Sequence, residues 1–80
     1  GTFFTCELKV TKSNFVKLSP HQISFHVKHP RNTFILVSSE RDSLLKLYEG
    51  SCILQLVACG LKLDACCLSL EACYEKFRNL

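Results

Sequence analysis

Apolar and polar residues alternate through the first ten positions. Phe4, Cys6, Leu8 and Val10 share one parity, and Phe3, Thr5, Glu7 and Lys9 share the other. Successive strand side chains point to opposite faces, so this period of two predicts a half-buried strand. NFVKL at 14–18 predicts a weaker second strand. HQISFHVKH at 21–29 alternates again, with Ile23, Phe25 and Val27 inward and Gln22, Ser24, His26 and Lys28 outward. HPRN at 29–32 reads as a turn, since the fixed φ of Pro30 suits the second position of a type I turn. TFILVSS at 33–39 is apolar on both parities, as in a central strand covered on both faces, and is expected to form a hairpin with 21–29.

The period changes at Ser39. The run Ser39-Glu40-Arg41-Asp42 resembles a capping box, Leu44, Leu45 and Tyr48 then share one helical face, and Gly50 is the expected C-cap. Ser51 is placed to cap a second helix. Beyond it, Cys52, Cys59, Cys66, Cys73 and Leu80 recur every seven residues, with Leu56, Leu63, Leu70 and Phe77 recurring between them. On a helix these positions form one continuous seam. A helix over 52–80 would be about 43 Å long, so Gly60 is the expected kink or break, with Asp64 capping a second segment over 64–80. The fold class is therefore α+β: an antiparallel sheet of about four strands over 3–39, packed on helices near 40–49 and 52–80. Residues 43–63 also alternate passably around Glu49-Gly50. Strands at 44–48 and 52–58 with one helix at 64–80 would give a curled antiparallel sheet closed by a helix, resembling pleckstrin-homology or polo-box modules in architecture. No stretch carries a motif specific to a family.

Composition narrows the picture. Eighty residues, 48% hydrophobic, with only five Gly and Pro, describe a single small domain rather than a disordered segment. The segment could be excised from a larger protein. No basic leader with a cleavage site opens the chain, so no signal peptide is expected. The apolar region 52–73 is interrupted by Gln55, Lys62, Asp64 and Glu71, too many polar groups for a bilayer.

The six cysteines raise the question of metal or redox chemistry. Helical residues seven apart are separated by about 10.5 Å. A disulfide needs Cα atoms within about 7 Å, and zinc holds its ligand atoms at about 2.0–2.3 Å. Neither fits such a series, and the chain has no CxxC. Reduced cysteine packs as a small hydrophobe, so the thiols are expected in the core, with no metal and no cofactor. Reduced thiols point to an intracellular compartment, cytoplasmic or nuclear. Catalysis has little support: the aspartates Asp42 and Asp64 read as helix-start residues, and no phosphate loop, nucleophile elbow or HExxH occurs. Strand parity also separates Cys6 from His26. The chain is expected not to be an enzyme and to take no small-molecule substrate.

Two binding readings remain. Leu54, Val57, Leu61 and Leu68 lie opposite the cysteine seam on the predicted helix, as a stripe that a sheet on the other side leaves for the helix 40–49, a partner protein or a second copy. The edge of the first or second strand is a further docking place, by strand addition. A non-catalytic protein–protein interaction module is the expected function. The alternative is nucleic-acid binding. Residues 1–32 carry a net charge of +4 and residues 33–80 a net charge of −1, and the first half offers Lys9, Lys17, His26, Lys28 and Arg31 as a basic patch. Only Phe3 stands beside it for base stacking, and Glu7 interrupts it.

Overall fold

The computed structural model describes residues 3–65 and 68–79. The first alternation folds as β1, Thr5–Thr11, and the doubly apolar run as β2, Thr33–Ser39. They pair in parallel, from Thr5 opposite Thr33 to Thr11 opposite Ser39. Parallel neighbours need a crossover connection, and here it contains a helix, α1, Pro20–Lys28. After β2 the chain turns through 40–43 into β3, Leu44–Glu49, which pairs antiparallel with β2. Among the described residues the sheet is three-stranded and mixed, in the order β1-β2-β3. A 3₁₀ turn at Gly50–Cys52 leads into α2, Ile53–Cys59, and α3 spans Leu70–Arg78. The α+β class therefore holds, while the sheet has fewer strands than expected and a parallel pair within it.

Local chemistry explains each departure. The run 21–29 falls in the helix Pro20–Lys28 and its C-cap His29, because Ser19 caps the helix in a full capping box with Gln22 and Pro20 occupies the first turn. The helix turns Ile23 and His26 inward, whereas Phe25 and Val27, placed inside by the strand reading, are exposed. Residues 14–18 form no strand; Thr11 Oγ1 donates to the Phe15 carbonyl at 2.8 Å, and only Val16 of that stretch is buried. Ser39 ends β2 rather than capping a helix, and the turn closes through Ser43 at φ 53°. Thus 44–49 is a strand, as the second reading had it, while 53–59 is helical, as the first had it.

Gly60 does break the helical run. Its φ of 63° suits glycine, and any Cβ there would strike the Asn14 carbonyl. The continuous seam is thereby lost. Leu56 packs into a cluster with Ile35, Val37, Tyr48 and Ile53, whereas Cys73 packs with Phe34 and Leu47, flanked by Phe77. Ile35 and Val37 have the opposite parity to Phe34, so α2 and α3 lie on opposite faces of the sheet. The readings placed on Cys66 and Leu80, and on the side chain of Leu70, fall outside the described residues. No helix among the described residues is long and apolar enough to cross a membrane.

Candidate functional site: the open edge of β1

β1 borders the sheet, so one side of its backbone has no strand partner among the described residues. Two hydrogen bonds fix which side. Thr5 N donates to Asn32 O and Glu40 N donates to Thr11 O, both at 2.9 Å. The odd residues of β1 therefore turn their amides and carbonyls toward β2. Backbone polarity alternates along a strand, so Cys6, Leu8 and Val10 turn theirs outward. The same three residues carry the side chains on the α3 face of the sheet. Phe4 at the start of this row is only partly covered, at 40% exposed: its ring stacks on Phe77 at 4.4 Å and meets Phe34 edge-on at 6.1 Å. Further along the row, Leu8 is 64% exposed and Val10 59% exposed. An apolar stripe thus adjoins an unpaired strand edge, a combination that proteins usually blunt.

The opposite face of β1 is polar and tied to α1. Lys9 Nζ donates to Gln22 Oε1 at 3.0 Å. Glu7 Oε1 lies 3.3 Å from Nε2 of His26, a fully buried side chain. Among the described residues, Glu7 Oε2 has no hydrogen-bond partner although it is buried, and neither has either ring nitrogen of His26. His26 is held beside Gly50, where a Cβ would strike Thr33 Oγ1 and crowd His26 Nδ1. Partial burial raises the pKa of the Cys6 thiol; a backbone hydrogen bond with Leu36 opposes the rise and the Glu7 carboxylate adds to it. Less thiolate at neutral pH makes Cys6 a poorer nucleophile.

The residues singled out from sequence are dispersed. Leu54 and Val57 stand exposed on the outer side of α2, and Leu68 is exposed ahead of α3. Leu61 is only 5% exposed and belongs to the core with Leu56 and Val16. It leaves the stripe because the break at Gly60 re-aims the chain. In the basic patch, His26 points into the protein and Lys9 is half-buried against α1, whereas Lys17, Lys28 and Arg31 are exposed. Helix formation at 20–28 is the reason: it takes His26 off the surface on which a strand would have placed it. Among the cysteines, Cys73 is buried, Cys52 is half-buried, and Cys6 and Cys59 are exposed. The expectation of a thiol core therefore holds for Cys73 and fails for Cys6 and Cys59, since the seam that was to bury Cys59 does not form. Among the described residues no three His, Cys, Asp or Glu side chains cluster as metal ligands do.

Leu8 and Val10 are the residues that the sequence reading missed as surface. Their alternation signals one buried face but not which neighbours cover it. No family model, curated protein or solved structure matches the chain.

Proposed function

We propose that this domain is a non-catalytic protein-interaction module that docks a partner by strand addition at the open edge of β1. The observation that carries the reading is the coincidence of outward-turned backbone groups at Cys6, Leu8 and Val10 with exposed apolar side chains at Leu8 and Val10. Main-chain hydrogen bonds give such docking its affinity, and alternate side chains give it selectivity. The outer side of α2, with Leu54 and Val57, is a second apolar surface but offers no unpaired backbone. Quantitative co-purification with the wild type, Leu8→Lys/Val10→Lys and Leu54→Asp/Val57→Asp tests the choice. Loss of the same proteins with the β1 variant alone supports the reading. Loss with the α2 variant alone moves the site to α2, and retention by both variants defeats it.

A second reading has one observation in its favour. Phe3, which is 98% exposed, and Phe25, His29 and Arg31 line one shallow depression of about 360 Å³. Rings beside a cationic side chain are what single-stranded nucleic acid stacks on. Arg31 and the neighbouring Lys28 enter none of the ion pairs among the described residues. On this reading a fluorescent oligothymidine binds at about 50 mM salt and is released steeply as salt rises, through counterion release. Absence of binding at that salt retires it.

A further inference from the structure

We propose that the occupant of the β1 edge is β1 of a second copy of this chain, paired antiparallel about Leu8. The proposal rests on the strand-addition reading and specifies its partner. The segment TCELKVT is self-complementary in this arrangement. With Leu8 opposite Leu8 of the second copy, Cys6 faces Val10, Thr5 faces Thr11, and Glu7 faces Lys9, each twice by symmetry.

Backbone geometry restricts the register. Only Cys6, Leu8 and Val10 turn hydrogen-bonding groups outward, so even residues must face even residues. Centring the pair on Glu7 sets Glu7 against Glu7, and centring it on Lys9 sets Lys9 against Lys9. Like charges directly opposite one another destabilise a sheet and opposite charges stabilise it. Centring on Leu8 avoids both clashes, pairs all of β1, and makes two Glu–Lys contacts. Those contacts fall at the non-hydrogen-bonded positions, where facing side chains come closest. Glu7 and Lys9 already stand on one face, held toward His26 and Gln22.

The apolar side agrees. A two-fold axis perpendicular to the sheet at Leu8 keeps both α1 helices on one face. It joins Cys6, Leu8 and Val10 of the two copies into one stripe on the other. The three-stranded sheet is doubled and both exposed edges at β1 are removed. The two Cys6 residues would lie about 13 Å apart, four strand residues, beyond the roughly 7 Å that a disulfide allows. Association is therefore independent of reductant.

Sedimentation up to about 1 mM protein detects association with a Kd of about 1 mM or tighter. The expected result is a dimer, with or without reductant. Lys9→Glu, which sets Glu7 against an acid twice, weakens it at least tenfold. Leu8→Pro, which removes an outward N–H at the axis, abolishes it while circular dichroism still reports the fold. In Leu8→Cys, facing residues about 5.5 Å apart permit a disulfide between the two introduced thiols, identified by peptide mapping. A wild type that stays monomeric overturns the second copy as occupant; strand addition then survives only if Leu8→Lys/Val10→Lys still loses its co-purified proteins. A dimer insensitive to Lys9→Glu and Leu8→Pro overturns the proposal and places self-association elsewhere.

Discussion

The two faces of the sheet are built to different standards. On one, α1, α2 and the loop through Val16 close over Ile35, Val37 and Tyr48, none of them more than 1% exposed. On the other, α3 covers Phe34, Leu47 and the Phe4 end of β1, while Leu8 and Val10 are left in solvent. Both faces are made by the same strands, so strand propensity cannot account for the difference. What differs is the amount of helix available. A 9-residue α3 reaches one end of its face, while α1, α2 and the adjoining turns share the other. A face finished along only part of its length carries stability where it is covered and leaves binding surface where it is not.

Truncating each face separately gives the largest expected effect. Leu56 is fully buried among Ile35, Tyr48 and Ile53, so Leu56→Ala should cost about 2–5 kcal/mol. That is a large share of the roughly 5–15 kcal/mol that stabilises a domain. Phe77 is half-buried, stacked on Phe4 at 4.4 Å and edge-on to Phe34 at 5.1 Å. Aromatic pairs contribute about 0.5–1.5 kcal/mol beyond their buried area. Phe77→Ala should therefore cost less than Leu56→Ala and act locally, raising amide exchange in α3 before the other face opens. Equal losses of Tm in the two variants would erase the contrast between the faces.

Tyr48 supplies an intermediate effect, confined to the covered face. Its hydroxyl donates to the Leu63 carbonyl at 2.9 Å and ties β3 to the chain beyond Gly60. Burial raises the phenol pKa above its ordinary value, and the nearby Asp64 adds to the rise. The folded state thus holds the phenolic proton more tightly than the unfolded state does. This contribution is fully present below the unfolded-state value near 10 and is lost as pH climbs through the folded-state value. The wild type should lose stability above about pH 10. Tyr48→Phe should remove Tyr48's share of that alkaline slope while costing about 0.5–1.5 kcal/mol at neutral pH. An unchanged slope in chemical denaturation would mean that other groups govern it.

Some of this was legible in the chain and some was not. Double apolarity at 33–39 marked a strand because it reports burial directly, and period two at 4–10 marked another because it reports alternating faces, although the apolar face it marks is the exposed one. The run 21–29 imitates a strand because Ile23, Phe25 and Val27 alternate by chance, although Ser19-Pro20-x-Gln22 carries a capping box and a first-turn proline. That helix also decides the parallel pairing, which alternation alone cannot indicate. At 44–63 the helical and strand periods both fitted, and the pairing of β3 with β2 chose between them. The heptad spacing of the cysteines was a coincidence of sequence across a glycine break. The binding edge lay hidden for a different reason: a strand's pattern tells which residues share a face, but only the sheet order tells which strand is last.

The smallest expected change in stability belongs to the uncovered stripe, and it sharpens the comparison most. Leu8 and Val10 are mostly in solvent, so Leu8→Lys/Val10→Lys removes little buried area and leaves no cavity. Exposed substitutions of this kind usually fall within about 0.5 kcal/mol of neutral. Long Lys stems also lie comfortably along apolar surface, and added charge suits an edge strand. Thermal and urea unfolding of the monomer should therefore match the wild type, while association through β1 is lost. If the double variant instead unfolds, Leu8 and Val10 are interior residues, something in this chain covers them, and the unfinished face disappears. A folded variant that has lost only its association shows that two large apolar residues on β1 contribute nothing to the monomer and act at the edge they border.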